Sequence, residues 1–174
     1  MKAIEAKELF YEIAAEFFEN YNVIFANQSR IAKPQIPLVV LSPGNIRRPQ
    51  AENGVTEDGA IIGYYQSRMP IVVDLFTNGK PVKNDNDDII AYSNTAIDEI
   101  LAFADYLNSP KCISWSDTHD VSILIEKEAQ DLTGAISDNN YEYRSRLEVL
   151  FYFTQETNQT NGDMGYFSAL SPDE

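Results

Sequence analysis

The sequence offers very little sulfur or imidazole chemistry. It contains one cysteine, Cys112, and one histidine, His119, among its 174 residues. A lone thiol cannot form a disulfide within the chain, and one cysteine is ordinary in a protein that matures in a reducing cytosol. We therefore expect a protein that is stabilised by its apolar core and not by covalent cross-links.

The sequence also lacks long apolar stretches. A membrane-spanning helix requires about 18 consecutive apolar residues, and no such run occurs. A secretory signal requires a basic region followed by an apolar one, whereas the first 20 residues carry five glutamates. We expect a chain that neither spans a membrane nor is exported through such a signal.

Positive charge is scarce. The 13 lysines and arginines are outnumbered by 27 aspartates and glutamates, which gives a net charge of −14. A surface of this sign repels phosphate backbones and lacks the counterion-releasing contacts on which nucleic-acid binding depends. Direct gripping of DNA is not expected, although a pore lined with carboxylates would let a duplex pass without sticking.

Apolar and aromatic residues are plentiful by contrast. Hydrophobic residues make up 44% of the chain, which has 10 Tyr and 9 Phe. A chain of this length buries about 70% of the surface that its unfolded form exposes. We expect one folded domain over residues 1–154. An acidic, partly disordered tail is expected over residues 155–174, which hold four acids and no base.

Two segments have clear helix signals. In residues 5–21 the apolar positions recur at steps of three and four, with the glutamates on the other side, as in an amphipathic helix. Ser109 followed by Pro110 is typical of a helix start, because serine caps the amides and proline fits the first helical position. It predicts a short helix that carries Trp115.

The acidic run at residues 84–88 is interpreted as a solvated loop that leads into another helix over residues 89–108. Asp87 or Asp88 would cap that helix, since a carboxylate there accepts hydrogen bonds from unpaired amides. A calcium loop is the alternative, but its sixth position would be Ile89 where glycine is required, and its twelfth position is not glutamate.

Four segments have strand signals, and they cover residues 37–41, 61–76, 121–125 and 141–154. Pro70 lacks a donor, so the second strand should be bulged there or lie at an edge. Residues 49–59 contain turn dipeptides and predict a mobile hairpin loop. The order predicts an α+β fold, with a mostly antiparallel sheet of about four strands and with two main helices and one short helix packed on one face.

No catalytic constellation is evident. His119 stands between two aspartates, but adjacent positions cannot converge on one ion and no second histidine exists. Cys112 is about 10 Å away along a helix, too far to pair with it. We expect a solvent-facing His119 and a packed Cys112, no enzymatic activity and no cofactor, since phosphate-loop and nucleophile-elbow motifs are also missing.

Paired tyrosines and arginines suggest an interface with another subunit or partner. Arg144 and Arg146 share the polar side of the last strand with Tyr143 close by, and arginine with tyrosine is enriched where proteins meet. The alternative is that the two arginines form cross-strand ion pairs with Glu142, Glu148 or Asp74. The candidate interface residues are Tyr64, Tyr65, Arg68, Tyr143, Arg144 and Arg146.

The order of segments resembles the neck-terminator and tail-terminator proteins of tailed bacteriophages. The resemblance lies in an amphipathic helix followed by Phe25-Ala26-Asn27-Gln28, the strand at residues 37–41, Tyr64-Tyr65-Gln66-Ser67-Arg68, Leu107-Asn108-Ser109-Pro110 and the strand that begins at Tyr141. One departure is that residues 165–170 lack the final strand expected of the family.

The resemblance implies a virion protein that is assembled in the host cytoplasm. It would be a subunit of a ring, commonly sixfold, at the head-proximal end of the tail, where it ends growth of the tail tube. Its partners would be the tail-tube protein and the head-completion or neck proteins, and DNA would pass through the pore without specific binding. A monomeric acidic adaptor for a basic protein is a second hypothesis, and a small enzyme with an unfamiliar site is a third.

Overall fold

A computed structural model of the chain describes residues 1–26, 35–48, 51–55, 61–137 and 140–159. The helices within these ranges are α1 (Ala3–Phe17), α2 (Ala96–Leu107) and α3 (Pro110–Thr118). The strands are β1 (Asn22–Phe25), β2 (Leu38–Pro43), β3 (Ala51–Val55), β4 (Ile61–Thr77), β5 (Lys80–Lys83), β6 (Ile89–Ser93), β7 (Val121–Asp131), β8 (Gly134–Ser137) and β9 (Asn140–Gln159).

The first and third helices confirm the helix predictions made for their segments, although α1 ends at Phe17 and not at residue 21. At the start of α1 the Lys2 amide donates to Glu5 Oε2 at 2.7 Å, and the apolar side of the helix is buried. At the start of α3, Ser109 Oγ accepts from the Cys112 amide at 3.3 Å, with Pro110 at the first helical position. Both helices therefore begin where side chains satisfy amides that have no partner within the helix.

The predicted helix over residues 89–108 is wrong in its first part, because that part is strand β6. Neither Asp87 nor Asp88 caps α2, since both lie in the turn before β6. The N-cap residue is Thr95, and Asn94 just before it satisfies the first helical amide, because its Oδ1 accepts from the Ala96 amide at 3.0 Å. Ile89 and Ile90 are β-branched and therefore favour a strand. The helical spacing of apolar residues, on which the prediction rested, does not show this preference.

Seven strands form one mixed sheet. Its order is β1-β2-β4-β9-β7, with β3 also paired with β4 and β8 with β9, while β5 and β6 form a separate two-stranded sheet. β1 is parallel to β2, and the other pairs are antiparallel. The α+β prediction is confirmed, but the prediction of about four antiparallel strands is not matched. Strands of four or five residues, such as β1 and β6, are too short to show an alternation.

β4 and β9 are the long central strands. They pair without a register shift from Ile61 opposite Gln159 to Thr77 opposite Tyr143. β9 continues past Thr154, where its end was predicted. The division of the chain into a domain and a tail stays a prediction, and residues 160–174 lie outside the described residues.

Pro70 lies in this pairing without a bulge, directly opposite Leu150. Its carbonyl accepts from the Gly44 amide at 2.7 Å on the opposite side, just after β2 has ended at Pro43. β4 lies between β2 and β9, and Arg47 bridges Arg68 on the same side as Gly44. Pro70 is therefore neither in a bulge nor on an edge strand, and both predicted outcomes are wrong. The missing donor falls where β2 has ended.

The predicted hairpin loop at residues 49–59 is only partly described. Residues 51–55 form β3, which pairs with the first five residues of β4, so a hairpin is present as predicted. Residues 49–50 and 56–60 lie outside the described residues, and the prediction of a mobile loop concerns them.

All three helices pack on one face of the main sheet. Alternate residues of β4 and β9, such as Met69, Ile71, Val149 and Phe151, are buried there with the apolar sides of the helices. Phe10 of α1 meets Phe151 edge to face, with ring centroids 5.8 Å apart. Burial of each such large side chain contributes about 1.5–3 kcal/mol, so this layer supplies most of the stability.

Candidate subunit interface

The first exposed apolar surface is a hairpin that we call the arm, residues 80–93. It consists of β5, a turn and β6, and every residue of the two strands is exposed. Ile89, Ile90 and Tyr92 are 53%, 64% and 51% exposed. An isolated two-stranded hairpin is only marginally stable in water, so contact of these apolar side chains with another molecule would stabilise the arm.

The turn of the arm carries its acidic residues. Asn84 Oδ1 accepts from the amides of Asn86 and Asp88 at 2.9 and 3.0 Å, and Asp87 turns the chain with a φ of 68°. Lys83 Nζ lies 2.8 Å from Asp87 Oδ1, but both side chains are exposed, so the pair contributes about 1 kcal/mol at most. The turn thus presents Asp85 and Asp88 as carboxylates without a cationic partner among the described ion pairs.

The base of the arm is fixed to the main sheet. Tyr143 Oη donates to the Tyr92 carbonyl at 3.0 Å. Gly79 has a φ of 72°, and a Cβ at that position would lie 2.3 Å from the Ser93 carbonyl oxygen. Only glycine fits such a position, so the direction in which the arm leaves β4 is set by its base.

The second exposed surface is the opposite face of the main sheet, which we call the open face. None of the described helices packs on it. Leu124, Leu150 and Pro70 lie side by side on three neighbouring strands, and Leu124 is 54% exposed. Val72, the next residue of β4 on this side, is half-buried. An uncovered apolar row in a charged surface is typical of a contact site.

A hollow that we call the arginine groove adjoins this row. It has a volume of about 400 Å³ and is lined by Arg47, Arg48, Gln66, Arg68 and Tyr152. Backbone hydrogen bonds of 2.9 and 3.0 Å join Arg47 to Arg68, and the Arg48 guanidinium lies 5.6 Å from the centre of the Tyr65 ring. Within the part of the chain that the structure describes, no carboxylate lines the groove and none of the ion pairs involves its arginines.

A different pair of arginines is neutralised within the sheet. Asp74 Oδ1 accepts from Arg144 at 3.0 Å and from Arg146 Nε at 2.9 Å, while Asp74 Oδ2 accepts from a second Arg146 nitrogen at 3.0 Å. The hydrogen bonds with Asp74 raise the pKa of Arg146 above its ordinary value. The Arg144 guanidinium also lies over the Phe76 ring at 5.1 Å. The structure thus shows the cross-strand ion-pair alternative, with Asp74 as the partner.

The six residues predicted from the sequence fall into two groups along β4 and β9. Tyr64, Tyr65 and Arg68 lie at or near the arginine groove. Tyr143, Arg144 and Arg146 lie on β9 near the base of the arm, where Tyr143 is opposite Thr77, the last residue of β4. The distance between Arg68 and Thr77 along the strand is about 30 Å, from the strand rise per residue. An interface role for either group stays a prediction.

Sequence reasoning missed several exposed residues. They are Arg47, Arg48, Ile89, Ile90 and Leu124, and the half-buried Leu150 and Tyr152 beside them were missed as well. One signal was present: the run Asn84-Asp85-Asn86-Asp87-Asp88 is rich in turn residues and separates two short segments at residues 80–83 and 89–93, which is a hairpin pattern. No comparable signal marks the arginine groove, since its members come from separate parts of the chain.

The residues considered for catalysis have structural roles. Cys112 is buried, and burial raises the pKa of its thiol, which opposes nucleophilic reactivity. His119 follows α3, where Nδ1 lies 2.8 Å from the Trp115 carbonyl oxygen and the two rings stack with centroids 4.2 Å apart. His119 is therefore half-buried and not solvent-facing as predicted.

A second hollow of about 320 Å³ lies next to the arginine groove and shares Gln66 and Tyr152 with it. Asp117 and Asp120 give it the opposite charge. In the described part of the chain no three His, Cys, Asp or Glu side chains are grouped so that they could hold a metal ion.

Within the described ranges, none of the helices combines the length and the apolar character needed to cross a membrane. A comparison with curated proteins gives no match. The model of one protein family, described as phage neck terminator protein, matches residues 7–168. Members of this family are structural proteins of the phage neck and tail. Since the match covers nearly the whole sequence, the chain belongs to the family of phage neck terminator proteins.

Proposed function

We propose that this protein forms a ring at the head-proximal end of a phage tail, where it ends growth of the tail tube and joins the tail to the neck. The observation that carries the proposal is the family match over residues 7–168. A terminator acts by occupying the growing end, so it needs surfaces for association and no bond-making groups.

The exposed surfaces support a role in assembly. The arm and the open face both present apolar residues in a charged surrounding, and specific interfaces combine an apolar centre with polar flanks. They lie on different parts of the subunit, as required for a head-to-tail contact that closes into a ring. The proposed partners are further copies of the chain, the tail-tube protein and the head-completion proteins.

The negative charge of the chain supports the proposal that DNA passes through the ring without specific binding. A net charge of −14 opposes adhesion of a duplex that moves through the ring. We propose a position in the virion tail or neck, assembly in the host cytoplasm, and no enzymatic activity.

The direct test combines mass measurement with tail assembly. Light scattering on a sizing column at several protein concentrations should give a multiple of 19.6 kDa, and negative staining should show rings. The measurement is repeated with tail tubes, so that assembly that depends on a template is detected as well. Tails assembled without this protein should have scattered lengths, and added protein should restore one length.

A protein that stays monomeric with and without tail tubes, and that leaves tail length unchanged, contradicts the proposal. Binding of that monomer to a basic protein would instead support an acidic adaptor.

A further inference from the structure

The arm presents an apolar surface that its own subunit leaves uncovered. Ile89 and Ile90 are more than half exposed, whereas the base of the arm is held by Tyr143 and Gly79. A projection that is fixed at its base and apolar along one strand, β6, is suited to contact with a second molecule.

The charges of the arm match those of the arginine groove. Among the described ion pairs, Asp85 and Asp88 of the turn have no cationic partner and the arginines of the groove have no carboxylate partner, in a chain that is acidic elsewhere. Arginine and carboxylate form strong, directional hydrogen bonds. The apolar residues of the arm likewise match the row of Leu124 and Leu150, which adjoins the groove through Tyr152.

The arm of a subunit is too short to reach the groove of the same subunit. It leaves β4 after Thr77, and the groove begins at Arg68, about 30 Å back along the strand. From Lys80 to Asp85 the arm extends about 20 Å at most, given the rise of an extended chain. The matching surfaces can therefore meet only between two copies.

We propose that the arm of one subunit lies on the open face of the next, with Ile90 and Tyr92, which share one face of β6, against the apolar row and the acidic turn in the arginine groove. This inference rests on the proposed ring, and it names the contact that closes it. Because the arm and the open face are different surfaces, the contact is head-to-tail, and its repetition gives a closed ring or a helix.

Nucleic acid is a less suitable occupant of the groove. The adjoining hollow carries Asp117 and Asp120, so a phosphate backbone that enters the groove would meet negative charge within the same surface. A short acidic turn occupies less of this surface than a duplex does.

The test is a charge exchange in the full chain. One variant carries Asp85→Lys with Asp88→Lys, a second carries Arg47→Glu with Arg48→Glu, and a third carries all four substitutions. Glu8→Lys with Glu12→Lys on the exposed side of α1 is the control with the same charge change as the arm variant. Assembly is measured by light scattering for each protein alone and by binding to tail tubes.

We expect the arm variant and the groove variant each to require at least about tenfold more protein for assembly, since like charges oppose each other in the contact. The four-substitution variant should regain assembly, and the control should assemble like the unsubstituted chain. Circular dichroism verifies folding, and Ile90→Ser provides a second arm variant without a charge change.

Unchanged assembly of the arm and groove variants, with rings still formed by the unsubstituted chain, overturns this inference and leaves the proposed function intact. Failure of the unsubstituted chain to assemble, both alone and on tail tubes, contradicts the proposed function as well. If the groove variant loses binding to duplex DNA while the arm variant assembles normally, the groove serves nucleic acid and the inference is wrong.

Discussion

The two faces of the main sheet are made by the same strands but have different tasks. On the face covered by helices, β4 and β9 contribute fully buried residues such as Met69 and Phe151. On the open face the residues between them, such as Arg68 and Leu150, are half-buried, and the charged side chains cluster there. Because successive side chains of a strand point to opposite faces, residues that stabilise the fold lie on one face and residues available for association lie on the other. Substitutions on the two faces should therefore have separable effects on stability and assembly.

The largest effect on stability is expected from Phe151→Ala on the covered face. The Phe151 side chain is fully buried and contacts Phe10, so truncation should lower the free energy of unfolding by about 3–5 kcal/mol through lost burial and the cavity that remains. Urea denaturation followed by circular dichroism measures the change. The neighbouring Leu150→Ala on the open face is the matched control, with an expected loss of about 1 kcal/mol. Equal losses would show that the two faces are not distinguished in solution.

The next largest effect on stability is expected from Asp74→Asn. Asp74 lies on the open face but is buried, so it is an exception to the division between the two faces. The substitution leaves Arg144 and Arg146 without their shared carboxylate and should lower the free energy of unfolding by about 1–3 kcal/mol. Glu148→Gln is the control, since Glu148 pairs with the exposed Lys127 and should contribute less than about 1 kcal/mol. A loss for Asp74→Asn no larger than that of the control would contradict a structural role for this ion pair.

A smaller effect is expected at the edge of the covered layer, where Tyr21 donates its hydroxyl proton to Glu99. Tyr21→Phe should cost about 1 kcal/mol, the usual net value of one hydrogen bond. Burial and the bond to Glu99 raise the pKa of Tyr21 above its ordinary value of 10.0. The folded state therefore holds this proton more tightly than the unfolded state does, so the stabilisation is present below pH 10 and is lost as the pH rises above it. Unfolding curves between pH 8 and pH 11 should show a steeper loss for the unsubstituted chain than for Tyr21→Phe, and parallel curves would speak against the assignment.

The smallest effect on stability is expected from Ile90→Ser in the arm. Because Ile90 is 64% exposed, the free energy of unfolding of the monomer should change by less than about 0.5 kcal/mol. Assembly should weaken nevertheless, which is the reverse of the pattern expected for Phe151→Ala. Thermal unfolding of dilute monomer together with light scattering at high concentration separates the two quantities. A clear loss of monomer stability would place Ile90 in the core of its own subunit.

Local signals were sufficient for the long elements. The alternation in β4 and β9 and the stripe in α1 extend over many residues, so the pattern identifies both the element and its buried side. Ser109 with Pro110 was enough for the start of α3, because capping depends on neighbours in sequence. In residues 89–93 the same kind of stripe misled, since five residues fit a helix and a strand equally well and the turn at Asp87 decides between them.

The amino-acid sequence was sufficient to predict an acidic α+β protein with one apolar side to its long strands, and its segment order identified the family. Which arginines are neutralised and which are not depends on the tertiary structure. Asp74 pairs with both arginines because the register of β4 and β9 places Arg146 opposite Asp74 and Arg144 opposite Phe76, on the same face. Arg47 and Arg68, by contrast, meet across a bridge formed by separate parts of the chain. Such pairings depend on distances in space, and residue types and their spacing along the chain do not fix those distances.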